Sequence, residues 1–152
     1  MHNILKKGRL IKTKTTELYR IAEKNGTEII CFDLPQTHSV SVITESGKCF
    51  IGIDPFQIET NAEEKVHLAH ELGHCETGAF YSLDSPLEIR QKNENRADRW
   101  AINRLVPADE LNFIIQTVSQ PWELAEYFDV TEEFILKAIE YYRIINKIKN
   151  PA

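Results

Sequence analysis

Five residues, His70-Glu71-Leu72-Gly73-His74, form the part of this chain best equipped for chemistry, an H-E-x-x-H pattern. Residues four apart on an α-helix lie on nearly the same face, so both imidazoles can aim at one metal ion, about 2.0–2.1 Å from each ligating nitrogen for zinc. Glu71 then projects beside the ion, where its carboxylate can take a proton from a metal-activated water without occupying a coordination position. Two histidines on an ordinary surface or core helix are the competing reading, and the five-residue pattern alone does not decide. A catalytic zinc commonly has three protein ligands and an open position, so a third donor must come from elsewhere in the chain.

A helix must carry the motif, and the sequence supplies its ends. Thr60 with Glu63 makes an S/T-x-x-E capping box, and Gly78 offers the left-handed residue that commonly closes a helix. At about 100° per residue, Leu68, Leu72 and Cys75 fall on one side, and Val66, His70, Gly73, His74 and Thr77 on the other. One face is core and the opposite face is available for chemistry. Gly73 costs ~1 kcal/mol relative to Ala inside a helix. It has a reason there if another backbone or the substrate comes close on the metal side, or if two helices pack closely.

Upstream, Thr15 to Lys24 reads as a helix closed by Asn25-Gly26. Thr27 to Leu34, Ser39 to Thr44 and Lys48 to Asp54 read as strands of a small sheet, with a hairpin between the last two. Downstream, Ser85-Pro86-Leu87-Glu88 joins an N-cap, a first-turn proline and a capping-box glutamate, opening a helix that Pro107 ends near Val106. Pro107 to Glu110 opens another, and Trp122 to Phe128 and Glu132 to Lys147 read as the last two helices. The expected fold class is α+β, one domain over residues 1–152, with a catalytic core to residue 118 and a C-terminal helical subdomain from 119.

The helix after residue 85 holds Glu94 and Asp98, one turn apart, with Ala97, Ala101 and Leu105 on their side. Small residues there let a second helix approach closely. Glu94 can complete the metal triad, and Asp98 is suited to accept a hydrogen bond from the far nitrogen of a ligand histidine. For this pair the competing reading is a solvated acidic turn within Gln91 to Arg99.

The H-E-L-G-H run, followed by Glu94-Asn95-Arg96-Ala97-Asp98-Arg99-Trp100-Ala101 and Leu105-Val106-Pro107, resembles the ImmA/IrrE family of zinc metallopeptidases, whose pattern is HELGH, E-x-x-A-[ND]-x-[FW]-A and L-[LMV]-P. The resemblance covers the central third of the chain. It implies a zincin-like metallopeptidase core with zinc held by His70, His74 and Glu94, and Glu71 as catalytic acid/base. It further implies an intracellular endopeptidase, often encoded on prophages and mobile elements, that cleaves a helix-turn-helix repressor. Arg96 departs from relatives that carry an acidic or amide residue there, which bears on the charge around the site. Thr77 and Phe80 stand where a metzincin would need Gly and His, which disfavours that class.

Residue type alone does not choose an oxyanion donor among His38, Tyr81 and Tyr127. His67 lies near the metal face, as an outer group or as a satisfied or solvent-facing histidine. A peptide is expected to add as a strand to an exposed sheet edge at Ser39 to Thr44. Mn, Fe or Co would accept the same donors as Zn.

The formal net charge of −5 argues against a surface built for nucleic acid or anionic membrane and fits a protein or peptide partner. No apolar run approaches the ~20 residues of a membrane span. Met1 to Lys14, with Lys6, Lys7, Arg9, Lys12 and Lys14, lacks the apolar centre of a signal peptide, so a cytoplasmic location is expected. Cys31, Cys49 and Cys75 are odd in number and scattered among apolar neighbours, which predicts reduced, buried thiols, with Cys75 a core residue.

Two further readings compete. Leu124 to Phe134 has the spacing of a helix-turn-helix, the module of a DNA-binding regulator, but its would-be recognition helix opens with Thr131-Glu132-Glu133, and acidic side chains there would face phosphates. Trp122, Phe134, Ile135, Ile139 and Tyr142 read instead as packing residues of a helical unit. The other is a repressor-binding antagonist that keeps the zinc fold without turnover.

Overall fold

The computed structural model describes residues 13–148. The basic N-terminal stretch through Lys12 and residues 149–152 lie outside the described residues. Among those described, the order is α1 (Thr15–Lys24), β1 (Glu28–Cys31), β2 (Ser39–Ile43), β3 (Cys49–Ile53), α2 (Asn61–Thr77), α3 (Leu87–Leu105), α4 (Ala108–Ile114), α5 (Pro121–Phe128) and α6 (Glu132–Ile144), an α+β arrangement.

The sheet has the order β1-β3-β2, with β1 parallel and β2 antiparallel to β3. Alternation along β3 buries Cys49, Ile51 and Ile53 on the helix side. On the other side Phe32 lies over Gly52, where a Cβ would stand 2.4 Å from the ring. β1 is shorter than its Thr27 to Leu34 run because the chain turns away at the buried Asp54 carboxylate, which accepts from Leu34 N at 2.8 Å and from Phe56 N at 2.9 Å. Those amides hold the Asp54 pKa below the usual carboxylate range despite burial. β2 forms the expected edge, with Ser39 opposite Ile53.

α2 is capped as its sequence predicts. Thr60 Oγ1 accepts from Glu63 N at 3.1 Å, the Glu63 carboxylate accepts from Glu59 N at 2.8 Å, and Gly78 closes the helix at φ 66°. Leu68, Ala69 and Leu72 are fully buried against the sheet and the later helices. Gly73 resolves as close helix packing: a Cβ there would stand 2.5 Å from Ala97 O and 2.9 Å from Ala97 Cα of α3. The small-residue face Ala97, Ala101 and Leu105 of α3 is buried.

Three expectations need correction. α3 starts at Leu87 with Pro86 as its cap, because the Ser85 hydroxyl accepts from Ser82 N at 3.1 Å within the preceding turn. Cys49 and Cys75 are joined by a disulfide that ties β3 to α2, and Cys31 is exposed and free, so the three cysteines are not buried thiols. Trp122 is 56% exposed at the start of α5, whereas Phe134, Ile135 and Tyr142 are buried as packing residues.

The last two helices reach the core through polar anchors as well as apolar ones. Lys65 of α2, 2% exposed, donates from Nζ to Phe128 O at 2.8 Å, satisfying the C-terminal end of α5. Tyr142 of α6 donates to Val106 O at 2.8 Å, and Thr131 caps α6 by accepting from Phe134 N at 3.2 Å.

Candidate metal centre

Helix periodicity sets His70 and His74 one above the other on α2, and the Gly73–Ala97 contact lets α3 come close enough for Glu94 to meet them. His70 Nε2 and His74 Nε2 are 3.2 Å apart, and Glu94 places Oε2 at 3.0 Å from the first and Oε1 at 3.2 Å from the second. All three donor atoms lie within 4.8 Å of one another. Two donors bound to one zinc at tetrahedral angles stand about 3.3 Å apart. The observed spacings fit that requirement without rearrangement.

The far nitrogens of both imidazoles are engaged as well. His70 Nδ1 lies 2.8 Å from Asp98 Oδ1, and His74 Nδ1 faces the Ala79 carbonyl. A carbonyl or carboxylate at Nδ1 selects the tautomer with the proton there, leaving each Nε2 lone pair pointed at the shared centre. Asp98 is steadied in turn by Lys137 of α6, whose Nζ donates to Oδ2 at 3.1 Å. Tyr81 donates to Glu94 Oε1 at 2.8 Å, which raises the phenol pKa. Burial opposes a charge on His70, but the Asp98 and Glu94 carboxylates outweigh it and raise the imidazole pKa to about 10 in the metal-free protein. Glu94 is held well below the usual carboxylate range, chiefly by His70 and then His74.

Glu71 is not one of the convergent donors. The residue is 7% exposed, and its carboxylate turns toward β2 and accepts from Ser39 Oγ at 2.9 Å. His67 Nδ1 is 3.5 Å from the same hydroxyl, and its ring stacks on His38 with centroids 4.9 Å apart. Burial first and His38 second push the His67 pKa down.

These groups open onto one cleft of about 950 Å³ between β2 and the N-terminal part of α6, with the loop after α2 at its rim. Its lining includes Ser39 to Val42, Tyr81, Glu133 and Lys137. Of the sequence candidates for oxyanion contact, His38 and Tyr81 line the cleft. Tyr127 donates instead to the buried Glu110 at 2.9 Å. Arg96 donates to Thr77 O at 2.9 Å, so its charge sits at the C-terminal end of α2, where the helix dipole favours it.

Ser39, Lys137 and Lys65 are not among the residues that the sequence singles out. A serine opening a strand and a lysine on an exposed helix face carry no local signal of their partners. Lys65 did carry one: it lies three and seven residues before Leu68 and Leu72, on the core stripe of α2.

A family model described as the IrrE N-terminal-like domain of peptidase M78 matches residues 22–140. The chain belongs to the peptidase M78 family. No curated protein and no solved structure matches it. The M78 match spans the sheet, both site helices and most of α6, so the donor triad, Glu71 and the cleft all fall within it. A peptidase of this family acts on a protein or peptide, and among the described residues no helix is long and apolar enough to cross a membrane.

Proposed function

We propose that the protein is a zinc-dependent endopeptidase that cleaves a helix-turn-helix transcriptional repressor, one belonging to a prophage or mobile element. The observation that carries the reading is the convergence of His70 Nε2, His74 Nε2 and the Glu94 carboxylate, with both Nδ1 atoms engaged elsewhere and Glu71 held beside the triad but outside it. His70, His74 and Glu94 hold the metal. Zinc bound there supplies Lewis acidity, which polarises a carbonyl and acidifies water. Glu71 takes the proton of the attacking water and returns it to the departing amine nitrogen. Asp98 orients His70, and Tyr81, which lines the cleft and donates to Glu94, offers a phenol to a developing oxyanion. The edge strand β2 receives the peptide in extended form along the cleft.

The repressor as substrate rests on the resemblance to ImmA/IrrE peptidases and on membership in the M78 family. Direct DNA binding by α5 and α6 is disfavoured, because Glu132 and Glu133 are exposed at the start of α6 and Glu133 faces the cleft. The arrangement also supports a catalytic unit through residue 118 with α5 and α6 as a helical unit that closes one side of the cleft.

Co-expression with the repressor encoded nearest to the gene is the test. Cleavage by the wild type and none by Glu71→Gln, with zinc content equal in both, is the expected result. An intact repressor whose promoter is nevertheless induced would replace cleavage with antagonism by binding.

A further inference from the structure

We propose that Ser39 is a positioning residue for Glu71, tying the acid/base carboxylate to the strand on which a peptide docks. The inference rests on the reading of Glu71 as acid/base. α2 fixes only the Glu71 backbone; three side-chain torsions remain, and a carboxylate beside two convergent imidazoles could swing in as a fourth donor and fill the open position that water needs. The Ser39 hydroxyl opposes this. It holds Oε1 at 2.9 Å on the β2 side and leaves Oε2 to accept a proton from the cleft. Both residues are 7% exposed, so the bond is shielded from water and charge-assisted.

Ser39 is itself clamped. Its backbone opens the β2 ladder opposite Ile53, its carbonyl accepts from Thr37 Oγ1 at 3.0 Å, and the preceding carbonyl, of His38, accepts from Asp54 N at 2.9 Å. The serine therefore stands on a rigid strand end and its hydroxyl has one strong acceptor within reach. Because β2 is the sheet edge lining the cleft, a peptide added to that edge is registered against the same residue that aims the base.

The test uses the full-length, zinc-loaded protein and acetohydroxamate, a zinc chelator that leaves its proton with a neighbouring carboxylate, so its affinity reads Glu71 placement without any substrate. Calorimetry is expected to show binding weakened about tenfold in Ser39→Ala and Ser39→Cys, the loss of one hydrogen bond to a charged group. Ser39→Thr restores it, and zinc content by elemental analysis stays at the wild-type level in all three. In a Glu71→Ala background, Ser39→Ala adds nothing further, since the serine acts through that carboxylate. Wild-type affinity in Ser39→Ala and Ser39→Cys, or an equal loss with and without Glu71, overturns the proposal. Wild-type affinity in Glu71→Ala alone instead overturns the acid/base reading beneath it.

Discussion

Replacing Gly73 with Ala tests the contact on which the site's geometry depends. On an exposed helix the change would stabilise the protein by about 1 kcal/mol, since Gly is the poorer helix former. Here the added methyl would meet backbone on its α3 side: Ala97 O at 2.5 Å, Cα at 2.9 Å and C at 3.0 Å. Ordinary contact begins near 3.4 Å, and the shortfall from 2.5 to 3.4 Å is about 0.9 Å. No flexible side chain is there to yield, so the helices must part. Overpacking of this kind costs about 1–3 kcal/mol, and backbone on the receiving side places it at the upper end. Set against the propensity gain, the net destabilisation is about 2 kcal/mol, a fall in Tm of roughly 4–8 °C for a chain of this size. The parting also moves Glu94 relative to His70 and His74 by more than the ~0.5 Å that a preorganised constellation tolerates. Zinc affinity, measured by competition with a chromogenic chelator, should therefore fall together with the Tm measured by calorimetry. A Gly73→Ala protein that melts at or above the wild-type temperature would refute the close approach of α2 and α3.

Further expectations follow from the same geometry. Zinc content by elemental analysis should be about one per chain and drop sharply in His70→Ala, His74→Ala and Glu94→Ala; full occupancy in Glu94→Ala would move the third-donor role elsewhere. Asp98→Ala should weaken zinc affinity roughly 10–100-fold without abolishing it, the usual cost of freeing a ligand imidazole, and unchanged affinity would return Asp98 to the solvated face. In the metal-free protein His70 titrates near 10, above its unfolded value of about 6.5, so its contribution to stability is complete below about pH 6.5 and lost as pH rises toward 10. Glu94 is shifted down, so its contribution is present above about pH 4.5 and lost as pH falls; a metal-free Tm that rises between pH 7 and 10 would contradict the His70 shift. The disulfide closes a separation of 26 residues, worth about 3.5 kcal/mol in the chain-entropy picture, and reductant should lower Tm by roughly 7–14 °C. Mass spectrometry finding three free thiols in the unreduced protein would dismiss it.

What was legible in the sequence was whatever a helix encodes locally. The capping pair Thr60 and Glu63, the His70 to His74 spacing and the Glu94 to Asp98 turn are all fixed by a period of about 3.6 residues, so element and face could be read before any fold was known. The sheet's existence and its β2–β3 hairpin were legible from β-rich runs and the Ser46-Gly47 turn. Strand lengths were not, because Asp54 ends β1 through a contact made 20 residues away in sequence. The cysteine expectation failed for a similar reason. Pairing of Cys49 with Cys75 depends on β3 lying against the last turns of α2, which spacing alone does not reveal. Gly73 stood between two explanations in the sequence, and only the position of Ala97 chose between them.

Several contacts that the sequence does not reveal converge on one element, the helix that bears the motif. Along α2, Asn61 bonds Asp129, Glu64 accepts from Tyr19, Lys65 reaches Phe128, Glu71 accepts from Ser39, Cys75 is bonded to Cys49 and Glu76 accepts from Asn25. Every turn of the helix is therefore fixed by a neighbour from a different part of the chain. A donor set needs its backbone held to within about 0.5 Å, and a loop or a terminal helix does not supply that constraint. The helix is restrained at both ends and along its length, so metal binding need order only side chains, and two of those, His70 and His74, are already oriented from behind. The rigidity of α2 is thus part of the chemistry: it lets a small chain keep three donors converged while the walls of the cleft, β2 on one side and α6 on the other, remain free to meet a peptide.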